Sequence, residues 1–234
     1  MKAIKVMTKI LSGMIDGSLI ALFVLFLLIG VYIVTDTFYI YSGASQRNTL
    51  VYKPGEKDGN AGKLRELSKD CIGWITVDGT GIDHPLMKGR SNSEYLNTDP
   101  FGEYALSGSI FLDCRNAKDL SDGYSVIYGH HMEGGAMFGA LDRYLRKDFY
   151  ENHRTGRITL TDGTVREFTV FAVLFCSARD TEIFDPGTGK PSMDYISAHA
   201  EILSEPGSGR IVSMTTCFGP GNEDRLAVLA ELSE

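Results

Sequence analysis

The run Glu167-Phe168-Thr169-Val170-Phe171-Ala172-Val173-Leu174-Phe175 is β-branched and aromatic along its length, and it predicts a long strand. Just upstream, Arg157-Ile158-Thr159-Leu160-Thr161 reads as another strand that stops at the turn pair Asp162-Gly163. Downstream, Arg210 to Thr216 and Arg225 to Leu232 are the last two candidates. Toward the N-terminus lie Gly73-Trp74-Ile75-Thr76-Val77 before Asp78-Gly79, then Ser109-Ile110-Phe111-Leu112 and Tyr124-Ser125-Val126-Ile127-Tyr128. Short strands at this spacing predict a mainly β domain, a closed or nearly closed barrel of about eight strands. Two helical interruptions, Ala136 to Leu145 and Met193 to Leu203, carry apolar residues at helical spacing and read as covers packed on the barrel. A short helix around Lys63 to Lys69 begins the folded domain.

From Gly17 to Thr35 the chain is apolar and uncharged, long enough as a helix to cross a hydrocarbon core. A buried core helix would need polar positions at a 3.6-residue period, and this run has none. Lys2, Lys5 and Lys9 precede it with only Asp16 in offset, so the expected orientation keeps the N-terminus in the cytoplasm and the remainder outside. A cleaved signal peptide is the competing reading, because Ser42-Gly43-Ala44 offers small residues, but the apolar stretch is long for one. The expected organisation is thus a cytoplasmic N-terminus over 1–16, an anchor over 17–35, a Gly- and Ser-containing stalk over 36–62 and a folded domain over 63–234.

The 234 residues are 43% apolar and 23% charged with a net charge of −7, which excludes disorder and makes nucleic acid an unexpected partner. Cys71, Cys114, Cys176 and Cys217 share neither a CxxC spacing nor a Cys/His cluster, so no metal and no cofactor is expected.

Cys217 stands where the strand ending in Thr215-Thr216 gives way to Phe218-Gly219-Pro220-Gly221, a place where a thiol could reach solvent from a rigid base. A small buried hydrophobe is the commoner fate of a cysteine, and Cys71, Cys114 and Cys176 keep that reading. A nucleophilic thiol needs a proton acceptor, and His130 in Tyr128-Gly129-His130-His131 ends another strand. Adjacent residues on an extended chain face opposite ways, so only one of His130 and His131 can readily serve. Arg225 opens the last strand eight residues beyond Cys217. Its guanidinium could polarise an oxyanion but not abstract a proton, and a surface ion pair with Glu223 or Asp224 fits the spacing equally well.

Together, Thr215-Thr216-Cys217, Arg225 and Tyr128-Gly129-His130 resemble the signatures of sortases, membrane-anchored cysteine transpeptidases of Gram-positive bacteria. Gly73-Trp74-Ile75, Ile82-Asp83-His84-Pro85, Tyr95-Leu96-Asn97, Gly108 to Asp113 and Gly129 to Gly139 resemble class B in particular. Ser213-Met214 stands where the family often has Thr-Leu, a mild departure. The resemblance implies an eight-stranded sortase barrel with Cys217 as nucleophile, His130 as acid and base and Arg225 at the oxyanion. It implies Thr216, Ser213, Leu96 and Asn97 as substrate contacts. The implied substrates are secreted proteins with a C-terminal sorting motif, cleaved after Thr and transferred through a thioester to a peptidoglycan cross-bridge, to lipid II or to a pilin. A surface cysteine peptidase releasing to water, or a noncatalytic membrane-tethered binding domain, would share much of this sequence pattern.

Overall fold

A computed structural model describes residues 2–44, 46–55, 62–217 and 223–233. The chain forms two units, one up to Ser42 and one from Gly43 onward. The first lies within a single helix, α1 (Lys2–Ala44), whose large apolar side chains are exposed from Ile4 to Tyr39. A span this apolar with no protein around it is what a membrane anchor requires.

The second unit opens with a 3-10 helix, Arg47–Tyr52, and α2 (Gly62–Leu67), and its described residues then build nine strands. These are β1 (Cys71–Val77), β2 (Asp83–Met87), β3 (Ile110–Leu112), β4 (Tyr124–Tyr128), β5 (Thr155–Leu160), β6 (Val165–Ser177), β7 (Ala200–Leu203), β8 (Ile211–Cys217) and β9 (Asp224–Leu232). They pair in the order β5-β1-β2-β3-β4-β8-β9-β6-β7, and β5 also pairs with β6. Eight strands therefore close on themselves, while β7 adds to the free stretch of β6 beyond its contact with β5. Closure pairs β5 with the first half of β6, and β7 takes the rest of that edge.

Side chains alternate across the wall. On β9, Leu226, Val228, Ala230 and Leu232 join the interior cluster, while Ala227 and Leu229 join an outer cluster. That outer cluster also holds Ile183 of α4 (Thr181–Phe184) and Ile196 of α5 (Met193–His199). With both faces covered, a strand reads as a continuous apolar run, which is why β6 and β9 are conspicuous in the sequence.

Two expected helices differ in detail. Over Phe138–Leu145 the backbone is a 3-10 helix, and its buried Phe138, Leu141 and Tyr144 recur every third residue, the 3-10 repeat. Gly129 permits its approach to β4, since a Cβ there would lie 2.7 Å from the Phe138 ring. The helix expected over Met193 to Leu203 stops at His199, and Ala200–Leu203 is β7, with Ile202 opposite Val173. The open edge of β6 supplies hydrogen bonds that one more helical turn could not.

The compact unit begins before the boundary that composition suggests near Lys63. Gln46 is buried, its amide Nε2 donating to the Gly108 carbonyl at 3.0 Å and its Oε1 facing His84 Nδ1 at 3.2 Å. Lys53 pairs with Asp83 at 2.7 Å.

Candidate active site

The site is built by register. β4 and β8 run parallel with Tyr128 as Cα partner of Thr215, and the Gly129 N–H donates to the Thr215 carbonyl at 3.3 Å. His130 and Cys217 each lie two residues further along, so both come to the same end of the barrel. β8 and β9 are antiparallel, and the Cα partner of Cys217 is Arg225. Three strands that are neighbours in space but not in sequence thus bring the three expected residues to one rim. The loop residues Phe218 to Asn222 that follow Cys217 lie outside the described residues.

A cleft of about 380 Å³ opens at this rim, lined by His130, Thr216, Arg225, Leu96, Asn92 and Phe184 among others. A larger one of about 560 Å³ lies beside Gly123 and Arg210, which precede β4 and β8 and so mark the opposite end of both strands. Its lining holds neither histidine nor cysteine, so size does not decide between them.

Among the described residues a hydrogen bond fixes His130: its Nε2 lies 2.6 Å from the Leu96 carbonyl oxygen. A carbonyl only accepts, so Nε2 carries the hydrogen and Nδ1 is the nitrogen left for chemistry. His131 points elsewhere, its Nε2 donating to Asp142 at 2.8 Å on the 3-10 helix. The two histidines thus hydrogen-bond to different elements.

Gly108 protects the Leu96 carbonyl. Its φ of +56° suits glycine, and a Cβ there would lie 2.3 Å from that oxygen. Leu96 lines the cleft with its side chain partly exposed. Asn97 is exposed, its carbonyl accepting from the Ala105 N–H, and it is not among the lining residues. Ser213 is fully buried within β8, between Val126 and Leu229 in the register, and does not line the cleft. Thr216 lines it, and its buried hydroxyl has no hydrogen-bond partner among the described residues.

The cleft floor rests on Asp113, a fully buried carboxylate that sequence reading did not single out. Arg115 donates to both its oxygens, at 2.9 and 2.8 Å, and Tyr128 Oη and Asn92 Nδ2 donate to Oδ2 at 2.9 and 2.8 Å. Burial alone would push its pKa up, but the bonds from Arg115, Tyr128 and Asn92 outweigh this and hold it at about 2. Burial and this carboxylate together push the Tyr128 phenol far up, so it remains a donor. Arg115 also reaches Asp185 at 3.0 Å and thereby fastens the segment after α4.

Two of the other thiols, Cys71 and Cys176, are buried and unsuited to attack. Burial pushes Cys71 up to about 11, and burial with the Asp180 charge pushes Cys176 up to about 12. His84 is buried against Gln46, and His199 stacks on Tyr195. Among the described residues no cluster of His, Cys, Asp and Glu could hold a metal ion.

A closed eight-stranded barrel with a cysteine, a histidine and an arginine on one rim defines a class of thiol enzyme, and comparison with known proteins agrees. The Sortase domain family matches residues 75–233. The chain is 40% identical to Sortase B of Staphylococcus aureus over 178 residues, 72% of each protein. It is 34% identical to Sortase B of Listeria monocytogenes over 165 residues, 66% of this chain and 65% of that protein's length. A class B sortase of Streptococcus pyogenes described as involved in pilus biogenesis superposes with a TM-score of 0.68 at 33% identity, covering 73% of this chain and 96% of that one. The chain belongs to the sortase family of cysteine transpeptidases, and to its class B.

Proposed function

We propose that the protein cuts a C-terminal sorting motif of secreted proteins after Thr and joins the new carboxyl end to an amine at the cell surface. The observation that carries this is the β4–β8–β9 register, which supports a common site for His130, Cys217 and Arg225. The Cys217 thiol passes its proton to His130 Nδ1, and the thiolate attacks the carbonyl carbon of the motif's Thr. Arg225 and a backbone N–H hold the oxyanion, and the C–N bond then breaks as His130 protonates the leaving amine. The product is a thioester on Cys217. An incoming amine loses its proton to His130, displaces the thiolate and remakes an amide, so no external energy source enters.

A peptidoglycan cross-bridge or lipid II supplies that amine in wall anchoring, and a pilin supplies it in pilus assembly, the process attributed to the Streptococcus pyogenes relative. The substrate contacts proposed are Leu96 and Thr216, on the cleft lining, with Asn97 and Ser213 acting through the segments that carry them. The exposed apolar surface of α1 supports a single-pass anchor with the N-terminus in the cytoplasm and the barrel outside.

Incubating the protein with labelled sorting peptides, with and without a primary amine, tests this by mass spectrometry. A covalent adduct on Cys217 that passes to the amine is expected, and Cys217→Ala should form none. Release to water alone, with no amide product at saturating amine, would make the protein a peptidase instead. Ligation by the Cys217→Ala protein would end the nucleophile assignment.

A further inference from the structure

The cleft of about 560 Å³ at the far end of the barrel is lined by Gly123, Arg166, Lys190, Ser208, Gly209 and Arg210, three cations with no carboxylate and no large apolar side chain. The cations come from separate parts of the chain: Arg166 from the start of β6, Lys190 from the segment ahead of α5, and Arg210 from the residue before β8. Strand register brings the arginines to one end. On β9, Leu232 is the Cα partner of Phe168 and donates its N–H to the Arg210 carbonyl at 2.8 Å, so the starts of β6 and β8 flank the end of β9. Their donors are largely unspent. Arg166 Nε is buried without a hydrogen-bond partner among the described residues, and Arg210 gives the Leu120 carbonyl one of the five N–H groups that a guanidinium carries. Among the described residues none of the three cations lies within 4.0 Å of a carboxylate oxygen. The acids nearby serve the backbone instead: Glu231 accepts from the Gly207 and Gly209 N–H groups, Asp119 from Ser121 and Asp162 from Thr164. Hydrogen bonds from Ser121 and Thr164 hold those two Asp carboxyls below their ordinary range, and the Arg166 charge adds to this.

We propose that this cleft is a binding site for a phosphodiester group carried on a larger polar molecule. Two guanidinium forks match phosphate oxygens in pairs, and Lys190 adds a point charge at the mouth. A carboxylate offers two oxygens and one charge, too few for three cations on separate segments. The volume exceeds what a phosphate fills and lies in the range that takes a small ligand, so the group arrives with part of its carrier. A flat bilayer surface fits less well, because it would meet the exposed Lys190 before the partly buried Arg166 and Arg210. The cleft is at the opposite end of β4 and β8 from His130 and Cys217, so its occupation leaves the catalytic rim open and does not depend on the reaction assigned there.

The test uses the full chain in an uncharged detergent, with a fluorescein-labelled glycerol phosphate oligomer read by fluorescence anisotropy at about 0.15 M salt. Saturable binding is expected, displaced by inorganic phosphate and not by polyglutamate of equal charge. Arg166→Gln and Arg210→Gln should each weaken it by about tenfold or more, and the exposed Lys190→Gln by about threefold. Arg166→Lys, which keeps the charge and loses the fork, should restore only part of the affinity. Lys147→Gln, an exposed cation outside the cleft, should bind as the unaltered chain does. Ligation of a sorting peptide should be unchanged in every variant, which shows that each is folded and keeps this result apart from the transpeptidase assignment. No saturable binding would overturn the proposal. So would equal weakening by Lys147→Gln and Arg166→Gln, which marks diffuse attraction, and so would equal displacement by polyglutamate. Capture by phosphatidylglycerol vesicles that the three cleft variants abolish, with none of the free oligomer, would assign the surface to lipid and overturn it too.

Discussion

The setting of His130 depends on Gly108, a residue outside the cleft lining. The Leu96 carbonyl fixes its tautomer, and only a glycine at 108 leaves room for that carbonyl. Gly108→Ala is therefore expected to slow acyl-enzyme formation by on the order of tenfold, through loss of imidazole positioning. Gly102→Ala separates this from backbone strain, since Gly102 also has a positive φ, +90°, yet a Cβ there meets nothing within 4 Å. Thioester formation followed by quenched-flow mass spectrometry should show the loss for Gly108→Ala and near-normal rates for Gly102→Ala. Equal rates in the two variants would remove the positioning role. The residues that the sequence singles out, Cys217, His130 and Arg225, stand at strand ends in compact patterns. Asn92, Arg115 and Tyr128 were not legible, because their roles come from a shared carboxylate, and nothing in a linear chain marks Asp113 as buried.

The link from β3 to β4 shows how an element can serve the cleft from beneath. Asp113 follows β3 directly and gathers Asn92, Arg115 and Tyr128 around one buried charge. Its carboxyl sits at about 2, below its ordinary 3.8, so the bonds to it favour the folded state whenever it is ionised. The stabilisation is full above pH 3.8 and is lost as pH falls through about 2, a change of about 2 kcal/mol. Urea denaturation between pH 5 and pH 2 should show this fall, and Asp113→Asn should flatten it while lowering stability at neutral pH by about 3 kcal/mol. A wild-type acid slope retained by Asp113→Asn would assign that slope to other carboxylates. At this scale the long strands were readable, since β6 and β9 carry apolar runs and β5 and β8 are rich in β-branched residues next to turn residues. β2 was not, because Pro85 sits inside it opposite Trp74 and argues against a strand. β7 was hidden because Tyr195 and Ile202 fit a helical period, and only the open edge of β6 turns Ala200–Leu203 into a strand.

The packing of the segment that precedes α2 is hard to read from the sequence. A stretch containing Ser and Gly reads as a tether, yet Gln46, Thr49 and Pro54 are buried and Lys53 is paired with Asp83. Local composition carries no trace of this, because the partners His84, Asp83 and Gly108 lie far along the chain. The consequence is a pH effect centred on His84. Burial, opposed weakly by the Asp83 charge, lowers its pKa from 6.5 to about 4, so the folded protein holds it neutral. The unfolded chain binds the extra proton between those values. Stability is thus full above pH 6.5 and declines as pH falls toward 4, by about 3 kcal/mol. A chain starting at Gly43 should keep that slope, whereas one starting at Gly62 loses the Gln46 cover and lets water reach the imidazole. The shorter chain is expected to be less stable at pH 7 by about 2 to 4 kcal/mol, from two hydrogen bonds, a half-exposed ion pair and lost burial. NMR titration of the His84 ring should place its pKa near the ordinary value in the shorter chain, and an unmoved low pKa would mean that β2 shields His84 without help from the N-terminal segment.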